Sequence, residues 1–182
     1  GEAGATDFSS GLMDLLGAFP GEDIREDPWQ ALEELRERFP RHPLGTAGAE
    51  PAFRAMERFR DILADQGAAC TGYRERNILV PTQLGTVRPT YRVPETMRPG
   101  MEAFAANSPC LLLDCEGMKD FDAEGMVAAL RDRWPAARSG SLPCPGRWQG
   151  REARPLPLAQ SLENEKALRE LAGTVASRLN PG

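Results

Sequence analysis

The chain has 182 residues, a formal net charge of −5 and 41% hydrophobic residues, the profile of a globular protein that can bury a core without disulfides or metals. The acidic balance excludes a sequence-independent nucleic-acid binder, because no stretch carries the clustered positive charge that phosphate neutralisation needs. No run approaches the roughly 18 apolar residues of a membrane span. We therefore expect one domain over residues 1–182, located in the cytoplasm and without direct insertion into a membrane.

Three helices are predicted in the first third of the chain, where apolar residues recur every three to four positions. A short helix follows the Ser9-Ser10-Gly11 turn, a second covers 28–39 and a third covers 51–66. Asp27 before a proline is a typical N-terminal cap for the second helix, and Gly67 is a typical C-terminal end for the third.

A hairpin is predicted next, because the apolar period changes from helical to alternating. Its strands cover 77–80 and 86–93 and join around Leu84-Gly85. Alternate side chains of a strand share a face, so one face of the second strand carries Thr86, Arg88, Thr90 and Arg92. Pro89 lacks an N–H donor, which favours an edge position.

The second half of the chain is predicted to contain a strand over 110–114 and a helix that Asp122 caps and Pro135 ends. Residues 135–157 hold eight Gly or Pro residues and are predicted to be a connector. A final helical stretch over 158–179 is expected to break near Asn164. The pattern predicts an α/β or α+β fold with about five helices and a small mixed or antiparallel sheet.

Two short motifs offer groups that bind anions or cofactors. The Ser9-Ser10-Gly11 turn presents hydroxyls and main-chain amides that can receive an anion or the polar edge of a cofactor, or that simply cap a helix. The strand face with Thr86, Arg88 and Thr90 offers a guanidinium and hydroxyls to a phosphate or carboxylate. Its alternative is a solvated face whose arginines pair with carboxylates.

The single histidine and the cysteines are the next candidates for acid–base or metal chemistry. His42 is the single histidine and the candidate general base, its alternative being an exposed loop residue. The cysteines have no C-x-x-C spacing, so we expect no metal site and interpret them as small buried hydrophobes; they are Cys70, Cys110, Cys115 and Cys144. No P-loop, G-x-S-x-G or G-x-G-x-x-G motif is present.

Four segments in a fixed order resemble one flavoprotein family: F-S-S-G-L-M-D-L-L-G at 8–17, His42-Pro43, L-G-T-V-R followed by Thr90 at 84–90, and Asp120-Phe121 after an apolar strand. On these residues the chain resembles the B subunit of the anaerobic glycerol-3-phosphate dehydrogenase. The resemblance covers nearly the whole chain from Phe8 onwards. Because full-length members of that family begin with a glycine-rich flavin fingerprint and continue further, we expect an internal fragment of a larger flavin-binding fold.

The resemblance implies a complex that oxidises sn-glycerol 3-phosphate to dihydroxyacetone phosphate and passes electrons to the quinone pool, in glycerol metabolism and anaerobic respiration. It implies a flavin cofactor, FMN or alternatively FAD, with Ser9, Ser10 and Gly11 as flavin contacts. Arg88, Thr86 and Thr90 are the implied contacts to the phosphate of the substrate or the flavin. The implied partners are a catalytic A subunit, and an iron–sulfur C subunit that holds the pair at the inner membrane.

Two other functions remain open. The chain could belong to a non-catalytic subunit that relays electrons or docks its partner, or to a flavin-dependent reductase of another substrate. Catalytic residues are unassigned apart from the candidate base His42. We expect the fragment alone to be inactive, to bind flavin poorly and to self-associate, because the rest of the fold would cover its apolar faces and strand edges.

Overall fold

The computed structural model describes residues 10–145, 148 and 150–179. These residues have an α/β fold with seven α-helices and six short strands, which are α1 (Pro28–Arg38), α2 (Pro43–Ala47), α3 (Ala49–Asp65), β1 (Cys70–Thr71), β2 (Ile78–Pro81), β3 (Val87–Thr90), β4 (Val93–Pro94), α4 (Arg98–Ala105), β5 (Cys110–Cys115), α5 (Ala123–Leu130), β6 (Ala137–Leu142), α6 (Pro155–Ser161) and α7 (Glu165–Leu179). The predicted fold class is confirmed, with more helices than expected.

The chain divides into two compact units. The first extends to Val80 and also contains Val87–Ala105, whereas the second contains Pro81–Thr86 and the residues from Ala106 onwards. Both units are therefore discontinuous in sequence.

Helix α1 begins where the sequence predicts. Oδ1 of Asp27 accepts hydrogen bonds from the main-chain N–H groups of Trp29 and Gln30, at 2.8 and 3.0 Å. These bonds satisfy two donors that lack partners inside the helix. The inner face of α1 packs in a core cluster formed by Phe19, Leu32 and Leu35. The predicted cap is confirmed.

The predicted helix after Ser10-Gly11 is wrong. Residues 12–18 form no helix, and Met13 makes an isolated antiparallel bridge with Arg92. The main-chain N–H of Met13 donates to the carbonyl of Arg92 at 2.9 Å. The apolar spacing of this segment is compatible with a helix, but a helix would remove these bonds to a distant part of the chain. The long-range pairing prevails over the local pattern.

The sequence does not predict α2 and α4. Helix α2 has five residues and begins directly after His42, which the sequence places in a loop. Helix α4 follows a 3₁₀ turn over Glu95–Met97 and has a proline and a glycine in its first turn. Proline and glycine have low helix propensity, so the local sequence does not predict α4. The third predicted helix is confirmed as α3.

The predicted hairpin is confirmed, with a shorter second strand. Strands β2 and β3 pair, and the main-chain N–H of Thr82 donates to the carbonyl of Thr86 at 2.7 Å in the connecting turn. Beyond Thr90 the chain leaves this pairing, and β4 pairs antiparallel with β1. Gly85 in the turn has φ +73°, and a Cβ there would lie 2.2 Å from Cβ of Ala129. Only glycine fits this contact with α5.

The second unit is built on a parallel strand pair. β5 and β6 pair in register from Cys110 opposite Ala137 to Cys115 opposite Leu142. The predicted helix capped by Asp122 is α5, and it forms the crossover that parallel strands need. It ends at Leu130, earlier than the predicted stop at Pro135.

The predicted connector over 135–157 is not a connector throughout, because β6 lies inside it. The sequence of β6 is A-R-S-G-S-L, whose central residues carry no apolar alternation. Gly140 fits because a Cβ there would lie 3.1 Å from Cδ2 of Leu113 on β5. The pairing with β5 therefore defines this strand, and the side chains of β6 alone do not predict it.

The final helical stretch is confirmed, including its break. Helices α6 and α7 are separated by residues 162–164, and Oδ1 of Asn164 accepts hydrogen bonds from the main-chain N–H groups of Lys166 and Ala167 at 3.0 and 3.3 Å. Asn164 thus caps the next helix. None of the helices in the described part of the chain is both long and apolar enough to span a bilayer.

Replacing Asp27 by Ala removes both cap bonds of α1, and we expect the free energy of unfolding to fall by about 1 kcal/mol. Asp27→Asn keeps an oxygen acceptor and should lose much less. Chemical denaturation followed by circular dichroism measures both, with the exposed Asp23→Ala as the control. Equal losses for Asp27→Ala and Asp27→Asn would contradict the capping role.

Candidate functional site

The first sequence motif and the end of the second lie side by side in the first unit. Residues 10–17 run beside residues 88–94, and the carbonyl of Met13 accepts hydrogen bonds from the main-chain N–H groups of Tyr91 and Arg92 at 3.0 and 3.1 Å. Gly17 permits the close approach, because a Cβ there would lie 2.3 Å from Cγ of Pro89. Segments that are more than 70 positions apart thus form one continuous edge, which we call the motif edge.

Arg88, the candidate anion ligand, is ion-paired within the motif edge. Its guanidinium contacts the carboxylate of Asp14, and both side chains are 44% exposed. The pair joins the D-L-L part of one motif to the T-x-R part of the other. Because it is half exposed, solvent screens it, and it contributes little to stability by itself.

Thr86 and Thr90 do not form an open anion site with Arg88. The hydroxyl of Thr86 lies 2.7 Å from that of Thr82 in the hairpin turn. Thr90 is buried, and its hydroxyl donates to the main-chain carbonyls of Met13 and Arg92 at 3.2 and 3.3 Å. Arg88 and Thr86 are exposed, but the Thr86 hydroxyl is already hydrogen-bonded to Thr82.

Arg92 is a buried cation between α3 and β1. It is 5% exposed, and its Nη2 lies 2.5 Å from Oε1 of Glu57. Its Nη1 donates to the carbonyl of Gly72 at 3.4 Å, and its Nε has no hydrogen-bond partner among the described residues. A Cβ at Gly72 would lie 2.6 Å from the carbonyl oxygen of Tyr91. The ion pair fastens α3 to the motif edge.

Tyr91 adds an aromatic anchor on the other side of the chain. Its ring meets Trp29 of α1 edge-on, with centroids 5.2 Å apart. The Tyr91 hydroxyl and the Trp29 indole both donate to the carbonyl of Arg74, at 3.2 and 2.8 Å. Burial raises the pKa of the Tyr91 hydroxyl, which therefore stays protonated and keeps donating.

The Ser10-Gly11 turn lies at the end of the motif edge, while Ser9 lies outside the described residues. Ser10 and Gly11 are exposed, and Oγ of Ser10 accepts a hydrogen bond from the main-chain N–H of Leu12 at 3.4 Å. Gly11 has φ +74°, and a Cβ there would lie 3.0 Å from Cγ of Pro94. An exposed hydroxyl beside exposed glycine backbone fits one edge contact to a flavin. It does not enclose one.

His42 is a helix cap. Its Nδ1 accepts a hydrogen bond from the main-chain N–H of Leu44 at 3.2 Å, at the start of α2. With Nδ1 as acceptor, the proton of the neutral ring resides on Nε2, which is then a donor. Proton abstraction by Nε2 would require the other tautomer and would break the cap. The geometry therefore favours a structural role over that of a base.

A cleft of about 560 Å³ in the first unit has no counterpart in the sequence motifs. Its lining includes Val93, Met101 and Phe104 as apolar groups, and Tyr73 and Arg76 at its polar side. The guanidinium of Arg76 lies 3.8 Å from the ring centroid of Tyr73. The sequence does not predict this cleft, because the residues that line it come from separate stretches of the chain and share no regular spacing.

Comparison with known proteins identifies the class. The chain belongs to the FAD-binding domain family, whose model matches residues 1–148. Its curated relatives are named as the B subunit of anaerobic glycerol-3-phosphate dehydrogenase, which agrees with the family to which the motifs point. The prediction of a flavoprotein family is thereby confirmed.

The relatives are similar over most of this chain but are much longer. Identity is 34% over 173 residues with the protein of Actinobacillus succinogenes, covering 88% of this chain and 40% of the relative. It is 28% over 176 residues with that of Actinobacillus pleuropneumoniae (92% and 41%) and 27% over 185 residues with that of Pasteurella multocida (97% and 43%). The chain spans about two fifths of the length of these relatives. No solved structure matches it significantly.

Glu57→Ala leaves the buried Arg92 guanidinium without its carboxylate, and we expect the free energy of unfolding to fall by about 2 kcal/mol or more. The matched control is Glu50→Ala on the same helix, whose ion pair with Arg54 is exposed and should cost less than about 0.5 kcal/mol. Urea unfolding curves measure both variants. Similar losses for Glu57→Ala and Glu50→Ala would contradict the role assigned to the buried pair.

Proposed function

We propose that this chain is part of a flavin-dependent oxidoreductase that oxidises sn-glycerol 3-phosphate to dihydroxyacetone phosphate. Membership of the FAD-binding domain family supports the cofactor class, and the name of the relatives supports the substrate. The observation that carries the proposal is the motif edge, where residues 10–17 lie hydrogen-bonded beside residues 88–94. The residues most specific to the family thus share one place in the fold.

At this edge we propose that Ser9, Ser10 and Gly11 contact the flavin, either FMN or FAD. Bound flavin supplies the acceptor for the hydride that the substrate loses. The Ser10 hydroxyl and the main chain at Gly11 are exposed and can hydrogen-bond to a polar ring edge. The segments that enclose the rest of the cofactor belong to other parts of the flavoprotein.

We propose that Arg88 binds a phosphate, of the substrate or of the flavin. A guanidinium donates two parallel N–H bonds to phosphate oxygens, and a phosphate carries more charge than one carboxylate. Arg88 is half exposed, so a phosphate can displace Asp14 from it without unfolding the edge. Thr86 and Thr90 have hydroxyls that are already hydrogen-bonded and would assist only by repositioning.

The proposed partners are the catalytic subunit of the dehydrogenase, and its iron–sulfur subunit. The relatives are named as one lettered subunit of an enzyme, which supports a multi-subunit assembly. In this arrangement electrons leave the flavin through the iron–sulfur subunit for the quinone pool. The same iron–sulfur protein would hold the complex at the inner membrane, with this chain on the cytoplasmic side.

Anaerobic titration of the purified flavoprotein that contains this chain with glycerol 3-phosphate tests the function. We expect bleaching of the flavin absorbance by glycerol 3-phosphate and no bleaching by glycerol, which lacks the phosphate. The mass of the released cofactor distinguishes FMN from FAD. The titration is repeated with and without the proposed catalytic partner.

The outcomes separate the competing functions. Bleaching without the catalytic partner indicates that catalysis resides in the flavoprotein that contains this chain, whereas bleaching only with the partner indicates an electron-relay or docking role. A flavin that is reduced by other donors but never by glycerol 3-phosphate, with or without the partner, would overturn the proposed substrate.

Arg88→Ala in the assembled enzyme should raise KM for glycerol 3-phosphate, or Kd for the flavin, about tenfold, as expected when about 1.4 kcal/mol of an anion contact is lost. Asp14→Asn distinguishes binding from structure, because it removes the competing carboxylate and should leave the affinity equal or higher. Arg54→Ala, an exposed ion-pair residue of the same unit, is the control. Parallel losses for Arg88→Ala and Asp14→Asn would mean that the pair is only structural.

A further inference from the structure

Two cysteines lie together at the end of the parallel strand pair in the second unit. Cys115 is the last residue of β5 and stands opposite Leu142, and Cys144 follows two positions after Leu142. Cys144 is 2% exposed in a core cluster with Ala153 and Leu158, and the half-buried Cys115 packs against that cluster. The strand register therefore brings two thiols into one small apolar site.

The two thiols are neighbours. Both are free, and Cys115 packs against the cluster that contains Cys144. Burial, together with the neighbouring Cys144, raises the pKa of Cys115 to about 11. Cys70 differs, because its Sγ donates to the main-chain carbonyl of Ala68 at 3.6 Å. The sequence-based interpretation of the cysteines as small buried hydrophobes does not include the proximity of Cys115 to Cys144.

We propose that Cys115 and Cys144 form a reversible intramolecular disulfide, with a small disulfide such as oxidised glutathione as the oxidant. The half-buried Cys115 loses its proton and attacks one sulfur of the oxidant, whose S–S bond breaks and releases one glutathione thiolate. Cys144 then loses its proton and attacks Cys115 in the mixed disulfide, releasing the second glutathione thiolate. The two protons go to the two thiolates. The cysteine pair is oxidised by two electrons, and one oxidised glutathione becomes two reduced ones.

The bond would close a loop that contains α5 and β6. It would tie the end of β5 to the segment that packs on α6, because Cys144 shares its cluster with Leu158 of that helix. Such a link restricts the unfolded chain and should raise the thermal midpoint of the second unit. Formation should be slow at neutral pH, since a thiol with a high pKa is rarely ionised there.

The test uses the 182-residue chain, reduced, freed of reductant and incubated with oxidised glutathione. We expect two of the four thiols to disappear in a denaturing thiol assay, and the protein to stay monomeric on non-reducing gels. Cleavage before Asp114 separates Cys110 from Cys115, so mass spectrometry of the unreduced digest identifies the bonded pair. The rate should rise about tenfold for each pH unit between about 7 and 9.

Matched variants make the test specific. Cys110→Ser should keep the bond, because Cys110 lies at the opposite end of β5. In Cys115→Ser, the three remaining thiols, those of Cys70, Cys110 and Cys144, should all stay reduced. Circular dichroism verifies that this variant folds. Three outcomes would each overturn the proposal. They are the persistence of all four thiols in the wild-type chain at about pH 9, a disulfide that involves Cys110 or Cys70, and a covalent dimer in place of the internal bond.

Discussion

A buried guanidinium imposes the main constraint on the first unit. A charge out of contact with water must be paired, and Arg92 meets this requirement with Glu57 from α3 and the carbonyl of Gly72. The same residue uses its main chain to bind Met13. One position therefore links a helix, the β1–β4 pair and the amino-terminal motif. The residues around it, from Thr90 to Val93, are all buried, so this stretch has no solvated face.

Local signals in the sequence suffice for the elements that carry their own caps. Asp27 starts α1, Asp122 starts α5 and Asn164 starts α7, and each does so through its own side chain. Elements defined by a distant partner are not predictable in this way. The segment after Gly11 has helical spacing yet pairs with Arg92, and β6 has almost no apolar character yet pairs with β5. In both, hydrogen bonds to remote residues decide the structure.

The candidate site is predictable in its location more than in its contacts. The motifs at 8–17 and 84–90 single out residues that the fold brings side by side, and Arg88 keeps an exposed head there. The alternating pattern wrongly places Thr90 and Arg92 on a solvent-exposed face of the strand. In the structure both faces of this stretch are buried. The cleft with Tyr73 and Arg76, and the proximity of Cys115 to Cys144, arise from tertiary packing and leave no spacing pattern in the sequence.

The hairpin has a consequence for how this chain can be divided or recombined. Its strands belong largely to the first unit, whereas its turn, with Gly85 packed against Ala129, belongs to the second. Neither unit is therefore a contiguous gene segment, and a cut after Ala105 would separate the second unit from six of its own residues, Pro81–Thr86. Chimeras between relatives should exchange the turn together with α5, since the glycine and the small helix residue that it meets must fit each other.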